Sequence, residues 1–285
     1  MISLLLAIIS SSLIFVIFKL FPRFKVDTFQ AIVFNYITAL SCGLILYGHE
    51  WDRQALVQGS WPYFAVLCGI LFISLFLLMG ISSQRNGVAL TSTAVKMSMA
   101  VSMLIMIVAY NEQVGWLKIG GIVMAFVGVY LVSIGKDQQS GKGGQWMLLV
   151  LFTGSGMLDF VLNYVQKFEM DVLTPSLFSA FGFGVAGTIG ILLLSIDLIR
   201  KKRVFHIRNV VAGILLGIPN YFSIYLLIMA YRDTGWNDSA VLAITNVSIV
   251  VLSALVGFII FQEGYDRRKL IGLILALIAI LFLSN

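Results

Sequence analysis

Apolar residues in this chain come in ten long blocks, near 2–20, 28–48, 61–82, 88–110, 116–135, 146–166, 174–197, 209–231, 238–261 and 267–284. Each is close to the roughly 20 residues that cross hydrocarbon as a helix. The polar connections between them are short, and no soluble domain fits in any of them. The pattern predicts an all-α integral membrane protein of ten transmembrane helices. The first block has no basic stretch before it of the kind a secretory signal carries, so residues 2–20 are read as a retained first helix. One connection, Lys136 to Gln145, has the Gly, Ser, Gln and Lys content of a linker. It divides the chain into five-helix halves, 1–135 and 146–285, with 136–145 between them.

The halves repeat each other. Glu112 falls on Glu263, Lys118 on Lys269, Gly121 on Gly272 and Ala125 on Ala276 at a shift of about 151 positions. Phe34 falls on Phe181 and Gly43 on Gly190 at about 147, and Gly69 on Gly217 and Gly87 on Gly235 at about 148. Fixed-period self-similarity is the mark of a duplicated unit. Five helices is an odd number, so two such units in one chain enter the membrane in opposite senses. The expectation is an inverted-topology repeat of the kind secondary transporters use.

Composition agrees with the pattern. Apolar residues make up 60% of the chain and charged residues 11%, against roughly 25% charge in a soluble domain. Trp61, Trp116, Trp146 and Trp236 lie at block ends and Trp51 in a connection, the headgroup level that tryptophan prefers. The net charge of +6 needs no nucleic-acid partner, because the basic residues gather in the connections. Fourteen of them lie in the connections that follow helices 1, 3, 5, 7 and 9, Arg200 to Arg203 among them. The positive-inside rule then puts those connections in the cytoplasm and both termini outside. Cys42 and Cys68 sit inside apolar blocks and form no disulfide framework. His49 and His206 are far apart, so no metal site and no cofactor is expected. Gly141-Lys142-Gly143-Gly144 lacks the Ser or Thr and the upstream glycine of a phosphate loop, and no ATP motor is visible.

Ten helices in two halves, with a glutamate at the turn into each final helix, resemble the EamA-type transporters of the drug/metabolite transporter superfamily. The carrying residues are Asn111-Glu112 followed by Lys118, and Gln262-Glu263 followed by Arg267-Arg268-Lys269. The glycine that commonly precedes the glutamate in that family is absent in both. The resemblance implies a cavity lined by helices 1, 3, 4, 6, 8 and 9, alternating access and small-metabolite cargo. It also implies cytoplasmic termini, the reverse of what the loop charges predict.

Polar groups deep in apolar blocks are the best pointers to a site, since a charge at a helix centre costs about 2.5–3.5 kcal/mol on insertion scales. Lys96 in helix 4 and Asp159 in helix 6 each lie roughly 5 Å from the midplane at 1.5 Å per residue. Asn220 is central in helix 8 and Asn246 nearly so in helix 9. Ser155, Asp159 and Asn163 follow at i, i+4 spacing on one face. Ser92 shares a face with Lys96, and Asn246 shares one with Ser239 and Ser253. Pro219, beside Asn220, is expected to disturb helix 8 and free a carbonyl. Candidate substrate contacts are therefore Lys96, Asp159, Asn163, Asn220, Asn246, Ser155 and Ser92. Two readings stand for Lys96 and Asp159: a substrate pathway, or a buried pair that fixes packing. The asparagines serve substrate contact or helix–helix hydrogen bonding. Glu112 and Glu263 lie near interfaces and act as helix caps or as gate and proton-coupling groups.

These features point to a secondary transporter moving a small polar metabolite, both signs of charge suggesting an amino acid or other zwitterion. The alternative is a flippase for a lipid-linked or amphipathic substrate. Enzyme chemistry is not expected, since one Lys and one Asp are too few convergent groups. The reading is a multi-pass protein of the bacterial cytoplasmic membrane, in contact with lipid and a small-molecule substrate, as a monomer or homodimer. Close contacts are expected at small residues: the Gly213/Gly217 pair and the pairs Gly121/Ala125 and Gly272/Ala276.

Overall fold

The computed structural model describes residues 1–47, 61–110, 115–134, 144–168, 175–236, 238–264 and 267–283. The linker residues 136–143, Asn111, Glu112, His49 and Trp51 lie outside them. The described residues are helical without strands, with 88% helix. The helices are α1 (Ile2–Leu20), α2 (Thr28–Tyr47), α3 (Trp61–Arg85), α4a (Val88–Met97), α4b (Met99–Tyr110), α5 (Trp116–Ile134), α6 (Gly144–Phe168), α7 (Pro175–Ile199), α8 (Ile207–Asp233), α9 (Asp238–Ile259) and α10 (Arg267–Leu283). Every apolar block of the sequence is a helix, because only a helix satisfies its own backbone groups in hydrocarbon. Seven spans among the described residues are long and apolar enough to cross a membrane, with Val88–Tyr110 as one of them.

The fourth helix is interrupted and the eighth is not. Ser98 separates α4a from α4b in a turn, and its Oγ donates to Val95 O at 2.6 Å. A serine bonded back to its own helix carbonyls competes with the helical ladder and bends it. Pro219 lies inside α8, which runs unbroken from Ile207 to Asp233. Helix 8 is continuous through Pro219, and the one-residue interruption falls at Ser98 in helix 4.

The helices fall into two compact units. The first comprises Met1–Leu20, Leu78–Phe160 and Ser223–Asn285, and the second Phe21–Leu77 and Val161–Phe222. Each therefore draws on both halves of the sequence.

In the first unit α5 lies along α10, α4a and α1 pack on α9, and a core of Met97, Ala125, Val129, Phe152, Ala276 and Ala279 joins α4a, α5, α6 and α10. A Cβ added at Gly121 would stand 3.0 Å from Phe282 and Leu283, and one at Gly128 would stand 3.1 Å from Gly272 O. Rising residue numbers on α5 thus meet falling numbers on α10, so the two helices are antiparallel. The small residues picked out in these helices are spent on this contact within one chain.

In the second unit α2 packs on α7, also antiparallel: Gly43 meets Ala180, Leu40 meets Gly184, Tyr36 meets Gly187 and Val33 meets Gly190. Tyr36, Phe72 and Phe183 form an aromatic core, with centroids 5.9 Å apart for Tyr36–Phe183 and 5.2 Å for Phe72–Phe183. Three contacts are close enough to require glycine, the tightest at Gly213, where a Cβ would lie 2.4 Å from Phe34 Cβ. A Cβ at Gly69 would lie 2.6 Å from Val185 Cβ, and one at Gly217 would lie 2.6 Å from Thr38 Cβ. Trp61 is buried against Phe181 instead of lying at a wet interface, whereas Trp116, Trp146 and Trp236 are exposed at helix starts as expected.

Candidate functional site

The break in α4 is where the first unit gathers its deep polar groups. Gly156 of α6 presses on it: a Cβ there would lie 2.7 Å from Ser98 O and 2.5 Å from Val101 Cβ. One turn further along α6, Asp159 accepts a hydrogen bond from Ser98 Oγ at 3.0 Å. Ser98 has a single hydroxyl proton, so donation to Asp159 competes with donation to Val95 O. Lys96, half-buried on α4a, acts electrostatically on Asp159 and is acted on by it. Asp159 is exposed although it lies well inside an apolar helix. Its bond to Ser98 ties it to α4.

The remaining candidates of this unit are less engaged. Ser92 is fully buried and its Oγ donates to Ala89 O at 3.0 Å, a bond within its own helix. Ser155 is buried on α6, one turn before Asp159. Asn246 is buried on α9 and its Nδ2 reaches Met99 Sδ at 3.9 Å, a weak acceptor at long range. The buried hydroxyls of Ser12 and Ser253 have no partner among the described residues.

Asn220 and Asn163 belong to the second unit. Asn220 is buried and donates from Nδ2 to Asn35 Oδ1 at 3.2 Å, while Asn163 is half-buried. Asn35 is fully buried and its Nδ2 lacks a partner among the described residues. The sequence reading missed both Asn35 and Ser98. The rule that found Asn220, a polar group central in an apolar block, applies equally to Asn35 in α2. Ser98 carried no usable signal, because isolated serines are common in these blocks.

Glu263 caps a helix, though not the one that follows it in the chain. Its Oε1 accepts the Val88 N–H at 2.9 Å, at the first residue of α4a, and pairs with Lys19 Nζ at 3.2 Å. A carboxylate there meets the positive end of the helix dipole. Gly87, at φ 97°, makes room: a Cβ would stand 2.5 Å from Glu263 Oε2. Gly235, its match in the second half, also has positive φ, at 66°.

Apolar helices with Lys96 and Asp159 both near an interruption form a candidate site inside the membrane span. Residues 1–134 match the EamA-like transporter family. The resemblance drawn from Glu112, Glu263 and the ten-helix pattern agrees with that match, and the match and the seven apolar spans together support an integral, multi-pass membrane protein. The chain is 27% identical to an uncharacterized protein of Haemophilus influenzae, over 98% of this chain and 96% of that one. A crystal structure of a protein 11% identical in sequence superposes with a TM-score of 0.59, covering 97% of this chain and 96% of the other. At that identity the likeness speaks for the fold alone.

Proposed function

We propose that this EamA-like protein is a secondary active transporter of the bacterial cytoplasmic membrane that moves a small zwitterionic metabolite by alternating access. The observation that carries the reading is the cluster of Lys96, Ser98 and Asp159 at the interruption of α4. Backbone irregularity at membrane depth is tolerated where it lines a cavity, and transporters commonly bind substrate there. A carboxylate of the cargo would take Lys96 and an ammonium would take Asp159, replacing the attraction the two groups have for each other. Asn246 stands near on α9, with Ser92 and Ser155 buried behind. Asn220 is read as a helix-packing group, bonded to Asn35, with Asn163 on the same unit.

Alternating access by two inverted halves has its own support in the contacts. Gly43 meets Ala180 and Gly190 meets Val33. Adding 147 to Gly43 and Val33 gives Gly190 and Ala180, so each contact is the other with the halves exchanged. Gly69 on Val185 and Gly217 on Thr38 are related in the same way. Exchange of partners between equivalent positions is what a two-fold relation produces, and α5/α10 and α2/α7 are counterpart pairs that run antiparallel.

The test is counterflow into liposomes with a panel of labelled amino acids and simple carboxylates or amines, with and without a proton gradient. Wild type should exchange a zwitterion, and Lys96→Met and Asp159→Asn should not, while both remain monodisperse and folded. The double neutral variant separates the two readings of the pair. Restored transport in Lys96→Met/Asp159→Asn would mean the pair only satisfies itself.

A further inference from the structure

The second unit carries a basic cavity that the transport reading does not use. It measures about 780 Å³ and opens where α7 ends and where α2 and α8 begin. Lys25, Lys202, Arg203 and Arg208 line it with His206, against the carboxylates of Asp27 and Asp197.

Both carboxylates are already engaged. Arg203 bonds Asp197 Oδ2 from Nε at 3.0 Å and Asp27 Oδ2 from Nη1, and its guanidinium lies 5.1 Å from the Phe29 ring centroid. Burial works against the Arg203 charge, but the two aspartates outweigh it and hold its pKa above the ordinary value. Lys25, Lys202 and Arg208 are exposed and make no ion pair with a described residue. The cavity wall is thus a fixed triad of one guanidinium and two carboxylates, with one negative charge in excess, surrounded by three exposed cations that outweigh it.

The floor holds this arrangement in place. Asn209, fully buried, donates to Gln30 Oε1 at 2.9 Å and accepts the Asp27 N–H at 3.0 Å. Gln30 donates from Nε2 to Val204 O at 2.8 Å, and its N–H is capped by Asp27 Oδ1 at 2.9 Å. The connection from α7 to α8 is thereby stapled to the start of α2. Two helix N-termini face the cavity and add positive potential.

Exposed apolar side chains stand beside the cations: Phe24 next to Lys25, Val204 next to Arg203, Ile207 next to Arg208, and Ile199 at the end of α7. A free anion needs only the charges. An anion with acyl chains uses both, at the level where helices leave the membrane.

We propose that this cavity binds the phosphate headgroup of an anionic phospholipid, with the acyl chains lying against Phe24, Ile199 and Ile207. Purified full-length protein in a neutral detergent, titrated with short-chain phosphatidylglycerol and followed by thermal shift, tests it. Phosphatidylcholine of the same chain length and inorganic phosphate serve as the other two arms. Phosphatidylglycerol should raise the melting temperature saturably and the other two should not. In Lys25→Gln/Lys202→Gln/Arg208→Gln the half-saturating concentration should rise about a hundredfold, at roughly fivefold per cation removed. All three side chains are exposed, so this variant should melt near wild type without lipid. Lys118→Gln, a substitution in the other unit, should leave the titration unchanged. An equal shift with inorganic phosphate overturns the lipid assignment, and an unchanged titration in the triple variant overturns the site.

Discussion

The two units solve the same problem, placing polar groups inside apolar helices, in opposite ways. In the second unit the deep groups are neutral. Asn220 and Asn35 bond each other, the helices are regular, and glycines at matched positions let backbones approach. In the first unit the deep groups are charged, and the helix that carries Lys96 is broken beside them at Ser98. A neutral amide pair can be satisfied once and left alone. A charge pair keeps a large unfavourable desolvation cost, which a bound ion of matching charge can offset. On the proposed transport reading, the second unit is frame and the first is the seat of chemistry.

The largest test of that contrast is removal of charge. Asp159→Asn or Lys96→Met should lower transport by about tenfold to a hundredfold, the value of a hydrogen bond to a charged group. Asn220→Leu should affect transport mainly through stability. Counterflow with matched protein amounts measures both. If Asn220→Leu silences transport in a protein of wild-type melting temperature, the division into frame and chemistry is wrong.

Next in size are the glycine contacts. Gly69→Leu and Gly217→Leu should each destabilise by about 1–3 kcal/mol or more through overpacking, and by similar amounts because they make the same contact. Gly115→Leu, with nothing within 4 Å of its added Cβ, should be near neutral. Melting temperatures in detergent decide it. Unequal losses at Gly69 and Gly217 would break the two-fold relation.

The asparagine pair comes third. Asn35→Leu alone leaves a buried amide without its partner and should cost about 1–3 kcal/mol. Asn35→Leu/Asn220→Leu should recover part of that loss, giving a coupling energy in a double-mutant cycle. Additive losses would show that the bond is incidental. The smallest effect is expected at Glu263. Glu263→Gln keeps an acceptor for the Val88 N–H and loses only the pair with Lys19, worth about 0–1 kcal/mol. Glu263→Ala also removes the cap, a further cost of about 0.5–2 kcal/mol. Equal melting temperatures for these two variants would argue against capping.

The helices were legible in the chain because their cause is local. A run of about twenty apolar residues has one stable form in hydrocarbon, whatever its neighbours. The proposed repeat rests on numbers and contacts together. Gly43, Gly69, Gly190 and Gly217 matched by number, and the same four glycines make exchanged contacts in the fold. Deep charges announced themselves at Lys96 and Asp159, since a charge in an apolar block has no trivial reason to be there.

What stayed hidden was partnership. Asn35 reads as one polar residue in an apolar helix until α8 brings Asn220 against it. Nothing in the sequence marks Ser98, yet the fourth helix is interrupted there, where Gly156 and Asp159 of α6 meet it. Glu263 precedes one helix and caps another, because Gly87 and Lys19 arrive beside it from distant parts of the chain. The cavity cations lie in two connections about 180 residues apart. Hydrophobicity fixes which segments enter the membrane, and it is a property each segment carries alone. Hydrogen bonds, charge pairs and close packing depend on which segments meet, and only the tertiary structure decides that.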